Sequence, residues 1–194
     1  MLPIGPLMIE HRLMERMLAL LKREAERIER EGNINDDFLD AAIDFNVTYV
    51  DRCHHRKEEE ILLKELEKKG PSGEHRRLMQ EILDEHQQAR TAISELETHK
   101  AGFLKGDREA SSRIVGTIRF LVELYTDHIA KEDQHFFLPC MDYFSPEEKD
   151  AMLSKEYEFD RNLLHQIYRE KVENQEARFK KDPGLEPRRG YRCG

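Results

Sequence analysis

The residues with the clearest chemical potential are two histidine–glutamate pairs with the spacing His-x-x-x-Glu. One pair is His54 with Glu58, and the other is His128 with Glu132. Residues four apart on a helix share one face and lie about 6 Å apart along its axis. Each pair can therefore direct an imidazole and a carboxylate at one metal ion, or its carboxylate can bridge two. Such ligands without thiolate are typical of iron, manganese or zinc sites.

A second register is open on the same helix, because His55 and Glu59 have the same spacing. His54 aligns with the apolar residue Val50 upstream, whereas His55 aligns with more polar residues. This favours His54 and Glu58 for the inward face. His55 lies about 100° round an ideal helix from His54 and could still reach a second ion. We therefore keep His55 as a predicted ligand and expect Glu59 to be solvated.

Four long amphipathic segments must position these pairs. Apolar residues recur in helical steps over residues 4–30, 36–69, 73–100 and 107–137, with short polar or glycine-containing breaks between them. This pattern predicts an all-α, up-down-up-down four-helix bundle at residues 1–142. A Ser-Pro-Glu-Glu start at 145–148 predicts an additional C-terminal helix at 143–180, packed on the bundle. We expect a flexible tail at 181–194.

Two single histidines, His11 and His86, fall on the inward stripes of the first and third helices. The predicted stripe of the second helix runs through Leu39, Ile43, Val47, Val50, His54, Glu58, Leu62 and Leu66. A lone inward histidine is more often a hydrogen-bonded core residue, and one His-x-x-x-Glu pair is common by chance. Their coincidence on four helices favours a metal centre, because a shared metal removes the cost of burying all these ionisable groups.

Composition limits the other classes of function. The formal net charge of −8, without a basic patch, argues against binding of nucleic acid. No apolar run is long enough to span a membrane. The three cysteines form no Cys-x-x-Cys pair, so neither a disulfide framework nor a thiolate zinc site is expected. The first residues lack the features of a signal peptide, which predicts a cytoplasmic location.

Four phrases of the sequence resemble the hemerythrin-like, or HHE cation-binding, family. They are MIEHRLMERML around His11, DRCHHRKEEEILL around His54, LDEHQQAR around His86 and DHIAKEDQHFFLP around His128. The resemblance implies two non-haem iron ions bridged by two carboxylates and held by five histidines, with zinc or manganese as substitutes. Residue by residue, it carries over to His11, His54, Glu58, His86, His128 and Glu132.

The fifth histidine departs from the oxygen carriers of that family. In the carriers it lies on the third helix, one turn after the first histidine there, and Arg90 occupies this position here. His55 is the nearest substitute, with His135 or an open site as alternatives. Because the family also includes sensors and iron–sulfur repair proteins, the resemblance implies binding or sensing of O2, NO or redox state rather than bulk oxygen transport.

Two other classes of function stay open. A diiron oxidase, an NO-reducing enzyme or an iron-handling enzyme would use the spacing Glu-x-x-His. Glu132 and His135 match this spacing, but Asp51 stands where the second helix would need a glutamate. A structural, metal-bound interaction protein would use the C-terminal helix to bind a protein partner or a second copy of the chain.

Overall fold

The computed structural model describes the backbone of residues 1–181 and the side chains of residues 1–164, 166 and 167. This part of the chain is all-helical, and five helices follow one another along it. They are α1 (Ile4–Glu31), α2 (residues 36–68), α3 (Gly73–Leu104), α4 (residues 110–140) and α5 (Pro146–Lys181). The predicted all-α fold with an extra C-terminal helix is confirmed. The predicted tail lies, from residue 182 onward, outside the described residues.

The chain divides into two compact units, and the boundary falls within α5 between Glu156 and Tyr157. The first unit contains α1 to α4 and the first turns of α5. In these turns Met152 is buried, and Lys155 Nζ lies 2.7 Å from Glu65 on α2. The second unit begins at Tyr157 and contains the rest of α5. The boundaries that we expected at residues 142 and 180 stay predictions.

Polar side chains cap the helices where the sequence changes character. Asn35 accepts a hydrogen bond from the amide of Phe38 at the start of α2. At the start of α5, the Ser145 hydroxyl accepts from the Glu148 amide and the Glu148 carboxylate accepts from the Ser145 amide. This is the reciprocal capping box expected from the sequence. At the end of α1, Gly32 has a φ of 67°, a left-handed conformation that glycine adopts without a steric penalty.

The four long helices surround one apolar core. Helix α4 packs against both α1 and α3, and α2 contacts α3 and α1, so the four helices form a closed ring. The core includes Met14 and Leu21 of α1, Val50 of α2, Leu96 of α3 and Ile118 of α4. No helix in the described part of the chain combines the length and the apolar character needed to cross a lipid bilayer.

Helix α2 departs from regular α-helical geometry in the segments Phe45–His55 and Glu58–Leu62, which are π-helical. In a π-helix the backbone N–H groups bond to carbonyls five residues back, so the turn is wider. This changes which side chains face inward. Val47, which we predicted on the inward stripe, is 43% exposed, and Asn46 is buried in its place. The prediction for Val47 was wrong because it assumed an α-helical step throughout.

Candidate metal centre

Helix α2 supplies three of the seven candidate ligands from its widened segments. His54 and His55 end the first π-helical segment, and Glu58 begins the second. A wider turn holds more residues, so the angle between neighbouring side chains is smaller than in an α-helix. Consequently both histidines face inward, and the structure does not require a choice between them.

Helix α4 supplies His128 and Glu132 at a similar irregularity. A single π-helical turn begins at Glu132, whose carbonyl accepts the amide of Phe137 five residues later. Isolated π turns are frequent at functional sites. Both His-x-x-x-Glu pairs therefore lie where their helix widens.

Helices α1 and α3 supply His11 and His86, which point into the same region. No candidate has more than 1% of its surface exposed; the seven residues are His11, His54, His55, Glu58, His86, His128 and Glu132. Each predicted residue is thus buried inside the helical bundle.

The seven side chains form overlapping groups that could hold metal ions. The groups are His11–His54–Glu58–Glu132, Glu58–His86–His128–Glu132 and His55–His86–His128, and the ligand atoms within each group lie within 4.8 Å of one another. Glu58 and Glu132 belong to both four-membered groups. The chain thus has two clusters of metal-binding groups that share two carboxylates.

Each shared carboxylate lies between imidazoles of the two clusters. Glu58 is 3.5 Å from His54 Nε2 and 3.3 Å from His86 Nε2. Glu132 is 3.1 Å from His11 Nε2 and 3.3 Å from His128 Nε2. Each carboxylate therefore links one cluster to the other.

Several buried atoms of this region lack a hydrogen-bond partner. They are both carboxylate oxygens of Glu58 and of Glu132, Nε2 of His86 and of His128, and both ring nitrogens of His55. Buried polar atoms are nearly always hydrogen-bonded, and isolated buried charges are costly. Metal cations between the side chains would satisfy the carboxylate oxygens and one nitrogen of each ring, so the donor set fits a metal centre.

The contact between His11 and His54 indicates the same chemistry. Their Nε2 atoms lie 3.0 Å apart, while Nδ1 of His11 faces Asp133 at 2.8 Å and Nδ1 of His54 faces Glu10 at 2.9 Å. An ionised carboxylate only accepts hydrogen bonds, so each Nδ1 carries a proton and donates it. In neutral imidazoles both Nε2 lone pairs then point at one position, which a cation can occupy.

A carboxylate lies behind each imidazole, on the side away from the centre. The hydrogen-bonded pairs, at 2.8–2.9 Å, are Asp133 with His11, Glu10 with His54, Glu59 with His86 and Glu85 with His128. Asp51 lies 3.6 Å from Nδ1 of His55, beyond hydrogen-bond distance. Such outer carboxylates fix the tautomer and orientation of metal-binding imidazoles. Our expectation that Glu59 is solvated was wrong, because it is partly buried against His86.

Cations form a further layer behind the outer carboxylates. The ion pairs are Arg12 with Asp133, Lys57 with Glu10, Lys131 with Glu85, and Arg90 with both Glu59 and Asp51. Lys57 is fully buried, whereas the other three cations are partly or largely exposed. These cations offset the negative charge that the outer carboxylates bring close to the core.

The carboxylates raise the pKa of two candidate ligands. Burial lowers the pKa of His11, but the hydrogen bond to Asp133 and the nearby carboxylate of Glu132 outweigh burial and raise it to about 10. Burial also lowers the pKa of His86, but the nearby carboxylate of Glu58 and the hydrogen bond to Glu59 outweigh burial and raise it to about 9. With protein groups alone, both imidazoles therefore carry a second ring proton and a positive charge at pH 7, and a bound metal must displace that proton.

Two further candidate ligands have pKa values shifted downward. Burial raises the pKa of Glu58, but the charges of His54 and His86 outweigh burial and lower it to about 2. Burial, reinforced by the positive charges of neighbouring histidines, holds the pKa of His55 well below its usual value. Glu58 is thus ionised and His55 neutral at pH 7, which are the forms that bind metals.

Two other histidines, His75 and His135, lie outside the clusters. His135, the alternative to His55 as fifth histidine, is exposed on the surface. Nδ1 of His75 lies 2.9 Å from the Tyr143 hydroxyl. Of the two alternatives for the fifth histidine, His55 and His135, only His55 lies in the cluster, and its role as the fifth histidine ligand stays a prediction. Without His135, the Glu-x-x-His spacing on α4 does not contribute two ligands.

Comparison with known proteins agrees with this geometry. The family model of the hemerythrin HHE cation binding domain matches residues 2–138, well over half of the chain. The chain belongs to this family. Membership implies metal binding, and the matched range includes all seven clustered residues. No curated protein and no solved structure matches the chain.

Proposed function

We propose that this hemerythrin-family protein holds two non-haem iron ions and binds or senses O2, NO or redox state. The observation that carries the proposal is the pair of clusters that share Glu58 and Glu132. His55, His86 and His128 would hold one ion, His11 and His54 the other, and the two carboxylates would serve both.

The donor count favours a pair of ions over a single structural zinc. A structural zinc site is closed by four protein ligands, whereas seven donors converge here. Imidazoles and carboxylates suit iron, with manganese or zinc as substitutes. We favour iron because five neutral imidazoles stabilise a reduced metal better than a carboxylate-rich set does.

The two ions would not have equivalent surroundings. The ion with two histidines would have one protein donor fewer than the other ion, which would leave room for a small molecule. A ferrous pair held in this way would supply reversible binding of O2 or NO. The aromatic ring of Phe137 covers this side, stacked on His11 with ring centroids 5.5 Å apart, and helps to exclude water.

A small cavity borders the metal centre at the three-histidine cluster. It measures about 160 Å³ and lies between α2 and α3 against His55. Ala89, Ile93 and Tyr125 contribute apolar surface to its wall. Since a water molecule occupies about 30 Å³, the cavity has room for a diatomic molecule. Its size supports a small ligand.

The proposal is tested by loading the metal-free full chain with Fe(II) under anaerobic conditions and then adding O2 or NO. We expect a charge-transfer band in the near-ultraviolet and visible range that disappears when the gas is removed. An irreversible colour change accompanied by turnover would favour an oxidase or NO-reducing enzyme. Bound zinc without affinity for Fe(II) would favour a structural role.

Other aspects of the function stay predictions. A protein partner or a second copy of the chain at the C-terminal helix, and a cytoplasmic location, rest on the sequence alone.

A further inference from the structure

Arg90 of α3 connects two of the outer carboxylates. Its Nε donates to Asp51 at 2.7 Å and a terminal nitrogen donates to Glu59 at 2.8 Å. Both acceptors belong to α2, eight residues apart, and lie on either side of the candidate ligands of that helix. Arg12, Lys57 and Lys131 each neutralise the carboxylate behind a single imidazole, whereas Arg90 contacts the carboxylates behind two.

The two carboxylates face histidines that stack on each other. Glu59 accepts from Nδ1 of His86 through the same oxygen that binds Arg90. The oxygen of Asp51 that binds Arg90 lies 3.6 Å from Nδ1 of His55. The rings of His55 and His86 are nearly parallel, with centroids 3.8 Å apart. One guanidinium therefore stands behind two adjacent imidazoles.

We propose that Arg90 is a positioning residue of the metal centre, which orients His55 and His86 by fixing Asp51 and Glu59. The inference rests on the proposed function, since it requires a metal at these histidines. The inference also gives Asp51 a role: by holding the Asp51 carboxylate 3.6 Å from Nδ1 of His55, Arg90 fixes the outer neighbour of the histidine that completes the three-histidine cluster.

The geometry requires an arginine rather than any cation. A guanidinium is planar and presents several N–H donors in fixed directions, so it can hold two carboxylates at a set separation. The ammonium of lysine is a compact charge on a flexible stem and imposes no such separation. A lysine at this position would keep the charge but lose the geometry.

The test compares Arg90→Gln and Arg90→Lys with the wild-type full chain, using Co(II) alone as the probe. Affinity is measured by competition with a chelator, and the visible absorption of bound Co(II) reports coordination geometry. We expect Arg90→Gln to bind Co(II) roughly 10–100-fold more weakly, as is typical for loss of an outer contact to a metal ligand. Its absorption bands should shift. Arg90→Lys should recover only part of the affinity.

The matched control is Arg119→Gln. Arg119 also forms an ion pair between helices, with Glu29 at 2.7 Å, but it contacts none of the clustered residues. We expect its affinity and spectrum to equal those of the wild type. Asp51→Asn is a second variant, and combining it with Arg90→Gln should cost less affinity than the sum of the two single losses, because both act on His55.

Three results would overturn the inference. The first is wild-type affinity and spectrum in Arg90→Gln, and the second is an equal loss in Arg119→Gln. The third is strict additivity of Arg90→Gln and Asp51→Asn. In all three cases the wild-type protein still binds metal and the proposed function stands. A wild-type chain that takes up neither Co(II) nor Fe(II) would instead contradict the proposed function itself, and this inference with it.

Discussion

Lys57 is the most deeply buried cation near the metal centre. Its replacement by methionine tests directly whether the cations behind the outer carboxylates stabilise the protein. Lys57 lies on α2 one residue before Glu58, with 0% of its surface exposed, and forms an ion pair with Glu10. Glu10 in turn accepts a hydrogen bond from His54 at 2.9 Å. Methionine keeps most of the side-chain volume, so Lys57→Met removes the charge without leaving a large cavity.

The expected loss follows from the burial of the remaining carboxylate. Breaking a buried ion pair by removing one partner costs about 3–5 kcal/mol, because the other charge stays uncompensated. The side chain of Glu10 is 11% exposed and keeps its bond to His54, which places the cost near the lower end, about 3 kcal/mol. Removing both charges in Glu10→Gln/Lys57→Met should recover at least about half of this loss, since the Glu10 charge that Lys57→Met leaves uncompensated is then removed as well.

The assay is urea unfolding of the metal-free protein at pH 7, with the free energy of unfolding compared at a constant m-value. Lys155→Met is the control, because Lys155 pairs with Glu65 but is 54% exposed; its loss should stay below about 1 kcal/mol. A loss below about 1 kcal/mol in Lys57→Met would refute the reasoning. So would a double variant that is less stable than Lys57→Met alone.

Three further predictions concern the ligands, the pH and the core. His55→Ala should lower the amount of metal bound per chain and His135→Ala should not, because His55 is buried in the cluster and His135 is exposed on the surface. Metal analysis of both variants checks this. The affinity for Fe(II) should rise from pH 7 to pH 9, and binding should release protons. The reason is that His11 and His86 have pKa values of about 10 and about 9 and must lose protons to bind metal. A chelator competition series in which the affinity is independent of pH would contradict this prediction. Ile118→Ala should lower the free energy of urea unfolding by about 2–5 kcal/mol, because Ile118 is 0% exposed. The control Leu104→Ala should change this free energy by less than about 0.5 kcal/mol, because Leu104 is 57% exposed.

Spacing and helical phase were sufficient to place the candidate ligands of α1, α3 and α4 on the inward faces of their helices. His11, His86 and His128 all continue apolar stripes whose neighbours are buried, so a regular α-helical step led to the right face. The helix order, and the capping box at Ser145 that begins the C-terminal helix, follow from equally local signals.

The irregular turns of α2 could not be predicted in the same way. The sequence pattern was read with an α-helical step, and π-helical turns are rare interruptions of that step. Val47 was therefore assigned inward, and His54 and His55 were treated as competing registers although both are buried. The widened helix resolves that competition.

The outer carboxylates were also beyond sequence reasoning. Glu10, Glu85 and Asp133 are ordinary acidic residues in a chain that contains 40 of them. Their roles depend on contacts between different helices, as when Glu85 of α3 accepts from His128 of α4 at 2.9 Å. Such pairings require the relative position of helices, which no single stripe supplies.

The central claim is that two ions share the carboxylates of Glu58 and Glu132. The most direct test is the number of Fe(II) ions bound per chain, measured by anaerobic titration of the metal-free protein. The account predicts two ions for the wild type, and fewer than two for Glu58→Gln/Glu132→Gln with the helical content retained. A wild-type chain that binds one ion or none, or a double variant that still binds two with unchanged affinity, would contradict it.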